Sequence, residues 1–524
     1  MRDSFSNLEN QNQMRNSKLI LGILLAGILY RLFLTWNGNF LFNMDNARDM
    51  VDVREMVVLH KLRLIGPTSA IEGLFNGPAW YYLLAIPFVL SGGDPYASII
   101  MEIILWAIGG FFLLKLVSKW GTWITITIGL LWVASNYIVL TNLYAFNPNP
   151  VTLLTPLFIF LLFKYLETGR FLYSISAWFL GGLFFNFEMN FGIFIPVIIL
   201  VSTFFIKKNL LKKKAFWLGS IFFVVILMPQ IIFDLRHQFI MSKSVLNFLD
   251  QGSSGMGFNP AARLQTISSS FFNTFVPTLM NHQTLAWIIL GLFILLILKI
   301  WKSAVKKNSL VILSLVYIFV PFLGYLILPV AVNPWHLGGE MSASLILIGF
   351  LLKEIRDFNL MGKLIAPIIG ILICFFALVN IFNFFLNDVG KINMDPSLYK
   401  NEIAAIDYVY KKAEGQNFRV YTYLPSVYDY PYQYLFWWYG KKTYGYIPGE
   451  YVYSPNKPPY IPSQDKFQGS KENFSGLVFL IKEPNRNYTR FGWEGDFIKY
   501  NWETIGKEMV GPLEVEIRKE VNWQ

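Results

Sequence analysis

The sequence predicts a mainly α protein: a polytopic membrane helical bundle of about eleven spans, followed by a small C-terminal α/β domain in water. Three observations carry that expectation. Hydrophobic residues make up 54% of the 524 positions and charged residues only 15%, well off the averages of soluble globular chains. The apolar residues come in runs near the ~20 residues a bilayer requires, divided by short lysine-bearing loops. From Asn387 onward those runs stop and a soluble composition begins. The net charge of +11 follows from topology rather than from nucleic-acid binding, because lysines such as Lys207, Lys208, Lys212, Lys213 and Lys214 cluster between apolar runs. Cys374, the single cysteine, lies inside an apolar run, so neither an intramolecular disulfide nor a thiol metal site is expected.

In chain order, residues 1–17 are polar and read as a cytoplasmic segment. The first apolar run, 18–36, has no small-residue cleavage site behind it and is expected to stay as a first helix. A first outer loop, 37–95, leads to spans at 96–117, 123–141, 151–166, 171–185, 191–206 and 216–233. A second long outer loop, 234–284, precedes spans at 285–300, 310–328, 338–352 and 364–386, which closes a membrane module over 18–386. Basic residues gather in alternate loops, at Lys115 and Lys119, Lys164 and Arg170, the lysines near 210, Lys299, Lys302, Lys306 and Lys307, and Lys353, Arg356 and Lys363. The positive-inside bias makes those loops cytoplasmic. The parity holds only if 79–90 does not cross, and at about 1.5 Å per residue that stretch covers roughly 18 Å of a ~30 Å core. It reads as a re-entrant or interfacial helix. Residues 387–524 then form an extracytoplasmic domain, with a helix at 397–412 and strands at 418–423, 476–482 and 513–519.

Some cations defy the orientation bias: Arg48, Arg54, Lys61 and Arg63 in the first outer loop, and Arg236, Lys243 and Arg263 in the second. Misplaced charge needs a reason, and chemistry is one. The densest polar stretch is 45–55. Wound at 100° per residue, it puts Asp45, Arg48, Asp49 and Asp52 on one face and Met44, Ala47, Val51 and Val58 on another. This is the pattern of an amphipathic helix along a membrane surface. Its charges are then either simply solvated or turned into a cleft, where a carboxylate beside arginines stays ionised and accepts a proton from a bound hydroxyl. Asp45 and Asp49 are the candidate catalytic acids, with Arg48, Arg54, Glu55, Lys61 and Arg63 as candidate substrate contacts. Asn76 follows, in front of Gly77-Pro78, which opens the short helix and offers its first amides to an anion; Trp80, Tyr81 and Tyr82 suit an interfacial aromatic belt. Asn147 and Asn149, Glu188, His336 and Glu340 complete the polar residues of the outer segments. Turn formation for the asparagines, and a satisfied structural role for the histidine, are the ordinary alternatives. No P-loop, dinucleotide fingerprint or zinc-ligand spacing is present.

The stretch Phe42-Asn43-Met44-Asp45-Asn46-Ala47-Arg48-Asp49, with Gly66-Pro67 and Gly77-Pro78-Ala79-Trp80-Tyr81-Tyr82 behind it, resembles the GT-C superfamily of polyprenyl-phosphate-sugar glycosyltransferases. It looks like the protein O-mannosyltransferase and aminoarabinose-transferase branch, of glycosyltransferase family 39 type. In layout the likeness covers roughly the first 390 residues, and in motif only the first loop. It implies that an aspartate of that loop acts on the acceptor. Asp45 is the match, and Asp49 its nearest competitor. The chain departs from the family at Asn76-Gly77, where a charged or histidine residue is frequent, and at Asn147 and Asn149, where an acid is frequent. Neutral amides are poorer ligands for hard cations than carboxylates, so no metal or other cofactor is carried over.

The function this implies is an inverting transfer of a sugar from a polyprenyl-phosphate donor to an acceptor hydroxyl on a glycan, lipid or protein, at the outer face of the cytoplasmic membrane. Asp45 is the base, and Lys61, Arg63, Arg263 or His336 stabilise the leaving phosphate. Membrane lipids are the remaining partner expected, and nucleic acid is not. The main rival is a lipid or polysaccharide transporter or flippase without covalent chemistry, which needs charged residues near the bilayer midplane and inverted repeats. The span interiors are mostly apolar and the conspicuous charges sit at one edge, which favours an enzyme. A polysaccharide polymerase or ligase would use the same kind of lipid-linked substrate.

Overall fold

A computed structural model describes residues 2–254, 259–300, 308–388, 395–455, 460–470, 474–484 and 489–521. Lys302, Lys306 and Lys307 lie outside the described residues. In chain order the helices are α1 (Arg2–Leu34), α2 (Met44–Val58), α3 (Ala79–Ser91), α4 (Pro95–Val117), α5 (Thr122–Ala134), α6 (Asn136–Leu140), α7 (Asn149–Thr168), α8 (Phe171–Phe187), α9 (Met189–Gly192), α10 (Ile195–Lys207), α11 (Lys214–Arg236), α12 (Ile240–Ser254), α13 (Pro260–Phe275), α14 (Gln283–Ile300), α15 (Ser309–Ile327), α16 (Gly338–Phe358) and α17 (Leu360–Asp388). Among the described residues, eight helices are long and apolar enough to cross a membrane, or nine if one bent pair is a single span. The protein is therefore a multi-pass membrane protein.

The expected spans differ from the observed helices in three places. The run 123–141 breaks at Ser135 into α5 and α6, and α8 has 17 residues, so neither reaches spanning length as one straight helix. The run 285–300 is one arm of a pair, Pro260–Leu279 with Gln283–Leu295, bent by 109°. The second outer loop is not irregular either, since it holds α12 and α13.

Contacts divide the chain into two compact units. The first comprises residues 1–33, 63–82 and 100–386. Its helices pack where small residues permit: a Cβ at Gly219 of α11 would stand 2.5 Å from the Trp178 ring of α8. Trp106 of α4 and Trp132 of α5 stack at 6.3 Å, and each indole N–H donates to the other residue's carbonyl. The Arg31 guanidinium lies 3.8 Å over Trp106 and donates to Asn142 Oδ1 at 2.6 Å, so a cation inside an apolar helix is both stacked and hydrogen-bonded.

The second unit comprises residues 34–62, 83–99 and 387–524. Here α18 (Tyr399–Ala413) precedes β1 (Asn417–Tyr423), α19 (Tyr430–Leu435), α20 (Lys441–Tyr444), β2 (Glu450–Val452), β3 (Phe474–Lys482), α21 (Thr489–Gly495), β4 (Trp502–Val510) and β5 (Leu513–Glu520). The strands form one sheet in the order β2-β1-β3-β5-β4, parallel at β1/β2 and β1/β3 and antiparallel at β3/β5 and β5/β4. Ala405, Ile406, Val409 and Ala413 recur at helical spacing on α18 and are fully buried. Residues 34–62 of the first loop belong to this unit by backbone pairing as well as by packing. Phe42 N–H donates to Ser397 O at 2.8 Å and Tyr399 N–H to Phe40 O at 2.9 Å. The aromatic residues of 421–438 are mostly core: Tyr421, Tyr423, Tyr432, Tyr434 and Trp438 are buried.

Candidate functional site

In the second unit, Asn43 ends an extended segment and caps α2, accepting from the backbone N–H groups of Asp45 and Asn46 at 3.1 and 3.4 Å. Helix α2 then packs on α19. Not all the charges of this helix are solvated, because Asp49, Arg54 and Glu55 are all buried. Arg54 donates to Gln433 O at 3.1 Å and lies 3.8 Å over the Phe467 ring. Glu55 accepts from Ser463 N–H at 3.2 Å, and Lys61 donates to Ser463 Oγ at 3.1 Å. These contacts bind the first loop to the C-terminal sheet domain.

Arg48 links the two candidate acids. Its Nη1 donates to Asp45 at 3.2 Å, and its Nε and Nη2 donate to one oxygen of Asp49 at 3.0 and 2.9 Å. The Asp49 side chain is 0% exposed, whereas that of Asp45 is 40% exposed. One aspartate is thus an internal counter-ion and the other a carboxylate that reaches out of the helix.

The first unit holds the remaining candidates: Arg63, Asn76, Asn147, Asn149, Glu188, Arg263, His336 and Glu340. Three of them come together in one network. Asn190 Nδ2 donates to Glu188 Oε1 at 2.8 Å and stands 3.3 Å from His336 Nε2. Tyr325 Oη donates to the carbonyls of Asn190 and His336, while Arg263 donates to the carbonyls of Tyr325, Leu328 and Val330 past the end of α15. Burial lifts the Glu188 carboxyl to about 7, against the hydrogen bonds from Asn190. Arg263 therefore caps carbonyls at the C-terminal end of α15 and His336 is part of a buried hydrogen-bonded turn.

The asparagines hold backbone. Asn147 donates to Phe187 O at 2.6 Å, and Asn149 to Thr141 O and Tyr144 O at 3.0 and 2.9 Å. Asn76 Oδ1 accepts from Met189 N–H at 3.2 Å. At the start of α3, Ala79 N–H donates to Asn186 Oδ1 at 3.4 Å. Gly77 is needed for that approach, since a Cβ there would stand 1.9 Å from Asn186 Oδ1. Arg63 keeps its backbone paired with the Tyr82 hydroxyl in both directions, at 3.3 and 3.0 Å. Glu340, in the first turn of α16, borders an apolar cavity of about 330 Å³ lined by Phe271, Phe275, Phe293, Phe319 and Phe322. Its Oε2 has no hydrogen-bond partner among the described residues.

Sequence reasoning passed over Glu102, which is fully buried in α4, and Asn190 and Tyr325, which complete the network around His336. A lone acid within an apolar span was the available signal for Glu102. Nothing in the sequence marks Asn190. Among the described residues, no three His, Cys, Asp or Glu side chains gather as metal ligands.

No protein-family model and no curated protein matches the sequence. Solved structures do. The chain aligns with ArnT from Cupriavidus metallidurans bound to undecaprenyl phosphate at a TM-score of 0.61 and 11% identity, over 95% of this chain and 97% of that one. It aligns with the apo state of the same ArnT at 0.59 and 12%, over the same shares. At that identity the likeness speaks to the fold, and it spans both units: this chain has the GT-C-like fold of the ArnT structures, a membrane helical bundle with a small C-terminal sheet domain.

Proposed function

We propose that this protein is a membrane glycosyltransferase, taking a sugar from a polyprenyl-phosphate donor and placing it on an acceptor hydroxyl with inversion at the anomeric carbon. The reading is carried by a fold shared over 95% of the chain with a protein whose crystal structure holds undecaprenyl phosphate. The phenylalanine-lined cavity of the first unit supports it, because an isoprenoid tail needs an apolar bed.

Asp45 is the base. It takes the proton of the acceptor hydroxyl, the freed oxygen bonds to the anomeric carbon, and the bond from that carbon to the phosphate oxygen breaks with its electron pair leaving on the phosphate. A base must touch the proton it removes, and exposure supports Asp45 over Asp49 in that role. Asp49 becomes a positioning residue, holding the Arg48 that holds Asp45. The growing charge on the phosphate needs cations. Lys61, whose ammonium donates to the Ser463 hydroxyl within the unit that holds Asp45, suits that task, whereas Arg263 and His336 are committed to backbone carbonyls and to the Asn190 network. The reaction belongs on the outer face of the cytoplasmic membrane, with residues 387–524 extracytoplasmic.

Mass spectrometry of glycans and glycolipids from cells with and without the protein tests the activity. The expected result is loss of one sugar-bearing product together with build-up of a polyprenyl-phosphate sugar. Identical profiles would remove the proposal.

A further inference from the structure

We infer that the first unit holds an anionic diacyl phospholipid, with an acyl chain in a groove of about 660 Å³ between α1 and α4 and the phosphate between Lys18 and Lys115. The groove is built by sequence spacing. Leu21, Leu24, Ile28 and Leu32 recur every three or four residues as one wall on α1, and Ile104 and Phe112 belong to the facing wall on α4.

The two helices meet where glycines let them approach. A Cβ at Gly27 would overlap the Trp106 ring, and one at Gly110 would stand 2.8 Å from Leu24. Residue 27 therefore lies against 106 and residue 24 against 110, so α1 and α4 run antiparallel. Beside that seam the groove is open, with Leu21 59% and Ile104 54% exposed. At about 1.5 Å per residue, Leu21 to Leu32 covers roughly 16 Å, about half of a ~30 Å hydrocarbon core. That is the depth of one leaflet, and it suits an acyl chain lying along the helices.

Charge at one end selects the headgroup. Lys18 stands one turn before Leu21 on α1, and Lys115 one turn beyond Phe111 and Phe112 on α4, so each follows a wall of the groove to the same end. The Lys115 ammonium lies 5.5 Å from the Phe111 ring centre and 5.2 Å from that of Phe160. Both lysines are exposed, and neither forms an ion pair with an acid among the described residues. Two cations without a counter-charge at the mouth of an apolar groove match an amphiphile with a negative head, and a zwitterionic lipid brings no net charge to meet them. The inference is independent of the transferase reading, because the lysines mark the far end of α1, about 24 Å along the helix from Leu34.

The test is native mass spectrometry of the full-length protein, delipidated in detergent and titrated with dioleoyl phosphatidylglycerol or dioleoyl phosphatidylcholine. Each lysine is expected to add about five-fold to the affinity for the anionic lipid, so wild type binds its first phosphatidylglycerol about 20-fold more tightly than phosphatidylcholine. Lys18→Gln combined with Lys115→Gln removes that preference, and Lys363→Gln, at an exposed position of α17, keeps it. Ala107→Phe, which fills the groove, weakens the binding of both lipids. If that variant does not fold, Ile104→Trp, at an exposed position of the same wall, takes its place. Equal affinity of wild type for the two lipids, a preference that survives the double substitution, or a first lipid unaffected by the filled groove overturns the inference. Displacement of the bound phosphatidylglycerol by equimolar undecaprenyl phosphate overturns it as well, since the groove would then belong to a polyprenyl chain.

Discussion

At the scale of the residue, accessibility separates side chains that the sequence presents as equals. Asp45 and Asp49 are four apart on one helix face, and both contact Arg48. Helical periodicity places both on a polar face, but it carries no information about what packs there. The structure packs α19 on α2, so Asp49 is sealed and Asp45 is not. Asp49→Asn removes one partner of a buried charge pair and is predicted to cost about 3 kcal/mol, lowering the thermal midpoint of the purified protein. Asp45→Asn, at a half-exposed position, is predicted to leave the stability within about 0.5 kcal/mol of wild type. Equal loss of stability in both would deny that burial distinguishes the two acids. The same reasoning explains His336 and Arg263. Their residue types announce a polar environment, but the partners are backbone carbonyls and an asparagine far away in sequence.

Among the elements, the sheet of the second unit depends on a charge cluster at one end of β3. Lys482, 2% exposed, pairs with Glu494 at 2.9 Å, Glu514 at 3.2 Å and Glu516 at 2.5 Å. Burial pushes the Glu514 and Glu516 carboxyls upward, but hydrogen bonds from Arg490 and Lys507 to the first, and from Lys482, Arg518 and Thr504 to the second, bring both down to about 2. Depressed carboxylates contribute stability that is present above their unfolded pKa, near 4.3, and is lost as pH falls toward about 2. The protection of β3 and β5 amides, taken relative to the intrinsic exchange rate at each pH, is therefore predicted to fall over that window. Lys482→Met is predicted to destabilise the sheet by about 3 kcal/mol near neutral pH and to flatten the acid response. An unchanged acid response in the variant would mean that the cluster does not hold the carboxylates down. Strands β1 and β3 were legible as apolar strand-like runs, β5 from its alternation, and α18 from its 3.6-residue period. The three-residue β2 was not, because so short a strand has no period to read; nor was β4, whose Gly506 breaks the alternation.

Taken as a whole, the molecule is organised differently from its linear order. The apolar runs revealed a membrane bundle and the change in composition a small C-terminal sheet domain, because burial in lipid and burial in a small core demand different compositions. That residues 34–62 fold with 387–524 depends on long-range packing, which leaves no local trace. One consequence is testable. A chain ended at Asp388 loses α19, which packs on α2, the helix that buries Ala47, Met50 and Val53. It is predicted to elute from size exclusion as aggregate and to be cut by protease within residues 40–62, and a monodisperse, protected product would contradict that organisation.

The central claim is that Asp45 is the base of a sugar transfer from a lipid phosphate. Its most direct test is acceptor-dependent release of undecaprenyl phosphate from a labelled undecaprenyl-phosphate sugar by purified protein in nanodiscs, comparing wild type with Asp45→Asn at matched folding and donor binding. The account predicts steady release by wild type and a loss of at least about 10²-fold in the variant. Release by Asp45→Asn at the wild-type rate would contradict it.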